Sequence, residues 1–246
     1  MSDTEQVGIP PGESLRRHVL DPLATAESTL DNEYEEVAAE RHAFEQFKKR
    51  VAGIETVSDT AAMTTTRRPL DEKRSRSAER VRSAFRETVM DVDHYDEVYG
   101  ESLIEHAAAE LSPDIAAGLR RDAHLQFTHL YKRTLLAAVE SAIEQRETVC
   151  AILDNERDSL SRSRDGLRAV LDELDGTRVP GGTRAEFTDA LDEIAGQRQE
   201  TVTSRTGSPR TDGHDLCAYL YAECSWTYPV LTAVTRLRGA VTGVIA

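Results

Sequence analysis

Apolar residues recur every seven positions along the first quarter of the chain. The repeat runs through Leu23, Leu30, Val37, Phe44 and Val51. A heptad spacing returns an apolar side chain to the same helix face every two turns, as in the seam of a coiled coil. Asp21-Pro22 has the form of a helix start, with an N-cap aspartate followed by proline at the first helical position. The pattern therefore predicts an amphipathic helix over residues 22–56.

A second heptad repeat occupies the later half of another long predicted helix, which starts at Ser112-Pro113. The repeat consists of Leu153, Leu160, Leu167 and Leu174. A helix cannot bury its own apolar stripe, so each of the two stripes needs a partner. The simplest arrangement pairs residues 22–56 with residues 140–175 as an antiparallel pair within one chain. A parallel homodimer through either stretch is the alternative.

Shorter helices are predicted around the two long ones, at about 73–93, 101–110, 184–199, 214–224 and 229–242. Strand-forming residues do not alternate over six positions before the last thirty residues. We therefore predict an all-α fold of long antiparallel coiled-coil-like helices with a smaller helical cluster. The predicted parts are a flexible tail (1–13), an elongated helical domain (14–182) and a C-terminal helical segment (183–246) that packs on it.

The charge of the chain adds a prediction about its source. The net charge is −14, and lysine accounts for only four of the 30 basic residues. Acidic, lysine-poor proteins are typical of salt-loving archaea, because high salt screens the self-repulsion of so many carboxylates. A GC-rich genome, which also favours arginine codons, is the other explanation. Without a signal peptide or a long apolar stretch, the expected location is the cytoplasm.

Carboxylates and histidines gather in residues 91–106, which makes this segment the first candidate site. If the segment is one helix, four carboxylates share a face beside two histidines: Asp93, Glu97, Glu101, Glu105, His94 and His106. Di-iron helical bundles need Glu-x-x-His pairs on two helices, and no histidine of this chain follows a glutamate at that spacing. An exposed acidic face is therefore favoured over a metal site.

A second candidate combines His214 with Cys217 and Cys224. Structural zinc sites use paired ligands two to four residues apart, and this segment offers one such pair and no evident fourth ligand. Three cysteines in the whole chain also do not suggest a disulfide framework. Buried cysteine in an apolar environment is the favoured interpretation, so no metal and no cofactor is predicted.

The third candidate is a basic stretch within this acidic chain, residues 67–86. It has eight basic and three acidic residues. Its arginines are Arg67, Arg68, Arg74, Arg76, Arg80, Arg82 and Arg86. Clustered arginine on a helix is typical of contacts with anions or nucleic acids. No DNA-binding motif accompanies it, so docking against acidic helix faces of the chain or of a protein partner is the favoured interpretation.

The fourth candidate is a set of aromatic residues near the C-terminus: Tyr219, Tyr221, Trp226 and Tyr228. Aromatic side chains are enriched at interfaces and in binding pockets. They also form the core of small terminal domains, and the core interpretation is favoured here.

Three stretches carry a resemblance to a known family. They read ESLRRHVLDPLATAEST near the start, RETVMDVDHYDEVYGESLIEH in the middle and DLCAYLYAECSWTYPVLTAVTRLR near the end. With these stretches the chain resembles a family of uncharacterised helical proteins of haloarchaea, a domain of unknown function, over most of its length. The resemblance implies a helical fold and a halophilic source. It implies no activity and no functional residues.

The sequence predicts a protein that is not an enzyme. It contains no phosphate-binding loop, no serine-hydrolase motif and no zinc-protease motif. The predicted function is a helical interaction or scaffold protein that binds a protein partner, or itself, through coiled-coil contacts. A regulatory or nucleic-acid-associated protein that uses residues 67–86 is the alternative, and a helical-bundle metal binder is the less favoured one.

Overall fold

The computed structural model describes residues 11–56, 67–120, 127–176, 183–204 and 213–242. These residues form nine helices, which confirms the predicted all-α fold. The helices are α1 (Pro11–Ala52), α2 (Arg67–Arg86), α3 (Tyr95–Val98), α4 (Leu103–Glu110), α5 (Pro113–Leu119), α6 (His129–Gly176), α7 (Thr183–Ser204), α8 (Gly213–Leu220) and α9 (Pro229–Thr242).

The described residues group into two compact units. Unit 1 contains α1 up to Glu33 together with the chain from Leu153 onward, and unit 2 contains Tyr34–Ile152. Helices α1 and α6 each contribute one segment to each unit. The division predicted at residues 13 and 182 stays a prediction, since the two units follow spatial contacts instead of chain order.

In unit 1, the segments of α1 and α6 run antiparallel, as three arginine–carboxylate pairs show. The pairs are Arg16–Asp172 at 2.7 Å, Glu27–Arg164 at 2.6 Å and Asp31–Arg157 at 2.9 Å. Residue numbers rise along α1 as they fall along α6, which defines the antiparallel direction. The heptad leucines of these two segments are Leu23, Leu30, Leu153, Leu160 and Leu167, and all are fully buried.

In unit 2, the remaining segments of the same two helices also run antiparallel. Glu40 of α1 pairs with Arg146 of α6, and Lys48 pairs with Glu140. At the end of α1, Lys132 Nζ donates to the carbonyl of Ile54 over 2.8 Å. Phe44, Phe47, Val51, Phe85, Leu135 and Val139 form the centre of the core of this unit.

The heptad residues are mostly enclosed by their own chain. Val37 and Leu174 are half-buried, and the other seven are buried. A parallel homodimer through these residues would first have to expose them, at a cost of about 25 cal/mol for each Å² of apolar surface. The antiparallel arrangement within one chain therefore accounts for both repeats.

Pro22 does not begin a helix, so the predicted helix start at Asp21-Pro22 is wrong. Helix α1 begins at Pro11 and contains Pro22 in its interior. A proline inside a helix leaves the carbonyl four residues earlier, here that of His18, without its backbone N–H donor. The guanidinium of Arg236 donates to this carbonyl over 2.7 Å. A distant side chain thus replaces the missing donor and helps the helix to continue.

The prediction of one continuous helix from Pro113 to about 174 is also wrong. Ser112 caps α5 as expected, but α5 ends at Leu119 and α6 begins at His129. Tyr131 packs against α5, where its hydroxyl donates to the carbonyl of Ile115 over 2.7 Å. A Cβ added at Gly118 would lie only 2.6 Å from the Tyr131 ring. Glycine at this position therefore permits the close approach of α5 and α6.

Candidate functional site

The most distinctive surface feature of unit 2 is an open groove between α2 and the end of α1, which we call the basic groove. Its volume is about 700 Å³. Ile54 and Ala84, both buried, lie at its floor. Lys49, Arg50, Arg76 and Arg80 line it together with Glu79 and Glu87. The groove therefore combines an apolar floor with an excess of positive charge.

Three contacts hold α2 beside α1 and so shape the basic groove. In the middle of α2, Ser77 Oγ donates to the carbonyl of Glu55 over 3.2 Å. Just beyond the C-terminal end of α2, Arg50 Nη1 pairs with Glu87 Oε2 at 2.6 Å. Phe85 of α2 packs edge-on against Phe47 of α1, with ring centroids 5.2 Å apart. The groove is thus supported by the core of the unit.

Both carboxylates that line the basic groove are engaged by arginines. Glu87 pairs with Arg50, and Glu79 pairs with Arg82. Lys49 and Arg80 are exposed. Neutralising both acidic residues leaves the positive charge of the groove directed to solvent, where it can attract an anionic group.

The structure separates the arginines of the predicted basic segment. Arg76, Arg80 and Arg86 are exposed, whereas Arg82 is only 7% exposed and also donates to the carbonyl of Leu119. The side chains of Arg67, Arg68 and Arg74 lie outside the described residues. Sequence reasoning missed Lys49 and Arg50, because they come from another helix and their proximity to α2 is a tertiary contact.

The segment 91–106 does not form the single helix on which its predicted carboxylate face depended. It contains α3, a turn with Gly100 at a φ of +57°, and the start of α4. Ser102 caps α4 in a capping box with Glu105, so this glutamate stabilises a helix terminus. Asp93, Glu97 and Glu105 are exposed. These three carboxylates therefore face solvent and do not line a shared site.

Both histidines of that segment join partly buried polar contacts. His94 Nε2 lies 3.1 Å from Glu40 Oε1, and the Tyr99 hydroxyl donates to the same oxygen over 2.6 Å. His106 Nδ1 lies 3.3 Å from Glu101 Oε2. The His106 ring is enclosed by aromatic rings, with the Tyr99 centroid 4.8 Å away. Through these contacts the two histidines link α1, α3 and α4.

Arg146 is the centre of this buried network, which we call the Arg146 network. Its Nε donates to Glu40 and its Nη2 donates to Glu110, each over 2.8 Å. Its guanidinium also lies 4.5 Å from the centroid of the Phe44 ring. Burial alone would raise the pKa of Glu40, but the Tyr99 hydrogen bond, the Arg146 charge and the His94 contact together lower it. Glu40 therefore stays ionised, and the network is an ion-pair cluster.

The set of possible zinc ligands, which the sequence did not favour, lies only partly within the described residues. The side chain of His214 lies outside the described residues. Cys217 is buried in unit 1, and Cys224 is half-buried. Throughout the residues that the structure describes, no group of three or more histidine, cysteine, aspartate or glutamate side chains could hold a metal ion.

The aromatic residues near the C-terminus divide between core and surface. Tyr221 is buried, and its ring centroid lies 5.5 Å from that of Trp226. Trp226 and Tyr228 are half-buried and line a shallow groove of about 390 Å³. Tyr219 is 64% exposed, although its hydroxyl donates to Glu33. The set therefore does not form one continuous patch.

Comparison with known proteins identifies a family but no activity. Within the described ranges, none of the helices has the length and apolar character needed to cross a membrane. No curated protein and no solved structure matches the chain. A family model described as a domain of unknown function (DUF7260) matches residues 21–244. Since this match covers most of the chain, the protein belongs to the DUF7260 family.

Proposed function

We propose that this protein is a non-enzymatic interaction protein that binds an acidic, amphipathic helix of a partner protein in the basic groove. The observation that carries the proposal is the combination of an apolar floor at Ile54 and Ala84 with basic side chains at the margins of the groove. An amphipathic helix lays its apolar stripe into such a groove and places its charged flanks over the margins. Glutamates on those flanks would meet Lys49 and Arg80.

Binding through a groove replaces the coiled-coil contacts predicted from the sequence. The heptad leucines are already buried by their own chain, so they offer little surface for a scaffold. The basic groove, in contrast, lies open and is not filled by any described residue. A surface of this kind suits a reversible partner better than a permanent assembly, because charged margins add to association rates and specificity more than to affinity.

A protein partner is favoured over a nucleic acid for an electrostatic reason. A nucleic acid extends beyond the groove and would be repelled by the rest of a chain whose net charge is −14. A peptide can place its acidic residues only beside Lys49 and Arg80, so it avoids this repulsion.

The source expected from the sequence is part of the same proposal: we place the protein in a halophilic archaeon, within the cytoplasm. The support is the net charge of −14 with four lysines among 30 basic residues. If this is correct, the free energy of unfolding should rise as KCl is raised from low to molar concentration, because salt screens carboxylate repulsion. A free energy that stays constant or falls would contradict it.

A binding measurement tests the proposed function. The probe is a fluorescently labelled helical peptide with a leucine stripe and glutamate flanks, and fluorescence anisotropy reports its binding at the lowest salt at which circular dichroism shows a folded protein. The variant Lys49→Glu/Arg80→Glu should weaken binding by at least about tenfold, which is about 1.4 kcal/mol. Arg168→Glu, a charge reversal at an exposed residue of α6, should leave binding unchanged.

Two comparison ligands complete the test. The same peptide with lysines in place of its glutamates should not bind, because its flanks would face like charge. A short DNA duplex should bind more weakly than the acidic peptide. If the duplex binds more tightly and the double variant abolishes that binding, the nucleic-acid alternative is correct. If no probe binds, or Arg168→Glu has the same effect as the double variant, the basic groove is not the site.

A further inference from the structure

A second cavity lies in unit 1, between α6 and α7, and we call it the polar cavity. Its volume is about 540 Å³, within the range of pockets that hold small molecules. Every residue that lines it is polar. From α6 come Asn155, Ser159, Arg162 and Ser163, and from α7 come Gln197, Arg198, Glu200, Thr201 and Ser204.

The spacing of these residues shows that polar stripes of both helices face the cavity. Asn155, Ser159 and Ser163 are four residues apart on α6, so they share one face. Gln197 and Thr201 have the same spacing on α7. Two helices that only stabilise each other fill their interface with apolar side chains. Short polar side chains on both facing stripes leave a space that water or a polar molecule must fill.

A fully buried ion pair borders the polar cavity. The Arg198 and Glu156 side chains are 1% and 0% exposed, and they form two hydrogen bonds of 2.9 and 2.6 Å. Arg198 Nη1 also donates to Ser159 Oγ over 3.0 Å, and Tyr221 donates to Glu156. These contacts fix Arg198 in place. A pre-positioned cavity wall of this kind reduces the entropic cost of binding.

The hydrogen bonds of the wall define what a ligand must offer. Ser163 Oγ donates to the carbonyl of Ser159, and Thr201 Oγ donates to the carbonyl of Gln197. Each hydroxyl has therefore used its proton and can act only as an acceptor. Arg198 Nε has no acceptor among the described residues, but it is shielded from solvent and so cannot reach a ligand in the cavity. A complementary ligand would therefore supply hydrogen-bond donors to the serine and threonine oxygens, as hydroxyl groups do.

The charges around the polar cavity balance. Arg198 is neutralised by Glu156, and Arg162 on α6 is opposed by Glu200 on α7. A phosphate or carboxylate ligand would leave a net negative charge within the cavity. We propose that the polar cavity is a binding site for a small, uncharged, hydroxyl-rich molecule such as a cyclic polyol or a monosaccharide. This site belongs to unit 1 and does not depend on the basic groove.

Ligand-observed NMR tests this site with defined probes: myo-inositol, D-glucose and inorganic phosphate. Saturation-transfer difference spectra should show saturable binding of at least one of the two neutral probes, and inorganic phosphate, which has no carbon-bound proton and is followed by ³¹P line broadening, should show none. Amide shifts in isotope-labelled protein should place the binding at Ser159, Ser163 and Thr201. Thermal shifts are unsuitable here, because polyols raise melting temperatures simply by being excluded from protein surfaces.

Two variants within one turn of α7, on different faces of the helix, provide a matched pair. Thr201→Leu fills the cavity and should weaken binding of the neutral probe by at least about tenfold. Thr203→Leu makes the same change at an exposed position outside the cavity and should leave binding unchanged. If Thr201→Leu fails to fold, Ser204→Leu at an exposed lining position takes its place. Absence of saturable binding, preference for phosphate, or equal loss in Thr203→Leu would overturn the proposal.

Discussion

Replacing Arg146 by methionine tests whether the Arg146 network holds unit 2 together. The substitution keeps most of the side-chain length but removes the guanidinium that donates to Glu40 and Glu110. The two carboxylates are 14% and 19% exposed, so both would remain largely buried without their main counter-charge. The favourable contact of the guanidinium with the Phe44 ring is lost as well.

The expected loss is large for a single substitution. Removing one partner of a buried ion pair costs about 3–5 kcal/mol of stability, because the remaining charge is left uncompensated. The groups here keep some exposure to water, so we expect about 3 kcal/mol, at the lower end of that range. The matched control is Arg157→Met. Arg157 is 35% exposed and pairs with exposed carboxylates, so its loss should cost about 0–1 kcal/mol.

Urea denaturation followed by far-UV circular dichroism measures both free energies of unfolding. Fluorescence of Trp226, which lies in unit 1, shows whether the two units unfold in one transition. A single free energy is defined only if the two probes coincide. A triple variant, Arg146→Met with Glu40→Gln and Glu110→Gln, should recover most of the lost stability because no buried charge remains. A loss for Arg146→Met no larger than that for Arg157→Met would refute the reasoning.

Three further substitutions test separate contacts. The pKa of Glu40 is lowered from its ordinary value of 4.5, so its ion pair stabilises the protein above that pH and the stabilisation is lost as the pH falls. Glu40→Gln should therefore flatten the acid limb of a curve of unfolding free energy against pH. An unchanged acid limb would contradict this. Arg236→Ala removes the donor for the carbonyl that Pro22 leaves unpaired and should lower the free energy of unfolding by about 1–2 kcal/mol. The loss should be smaller in a Pro22→Ala background. Equal losses in both backgrounds would show that the hydrogen bond is unimportant. Gly118→Ala should lower the free energy of unfolding by about 1–3 kcal/mol through overpacking against Tyr131. Combining it with Tyr131→Ala should remove that loss. A Gly118→Ala protein as stable as the unmodified one would disprove the close approach.

The long helices could be predicted because their signal is local. Leu23 and Leu153 begin repeats whose period alone indicates a buried helix face, and the structure buries both residues. The helix ends were harder to predict. Pro22 looks like a helix start because the donor that replaces its missing N–H is Arg236, and a contact over such a distance along the chain leaves no mark on the local pattern.

The candidate sites were only partly predictable for the same reason. The basic segment contains Arg76 and Arg80, which line the groove, but nothing in its local sequence indicates that Arg82 is buried or that Lys49 joins the groove. Charged residues look alike in a sequence whether they face solvent or a partner. The buried position of Arg146 depends on Glu40, which lies on another helix, so it becomes visible only once α1 and α6 are paired.

A charge-reversal experiment tests the proposed acidic-helix binding most directly. The variant Lys49→Glu/Arg80→Glu is titrated with two labelled peptides that share a leucine stripe and differ only in glutamate or lysine flanks. If the flanks of the peptide meet the margins of the basic groove, the variant should lose the glutamate peptide and gain the lysine peptide, each by at least about tenfold. A variant that binds both peptides as the unmodified protein does would contradict the account.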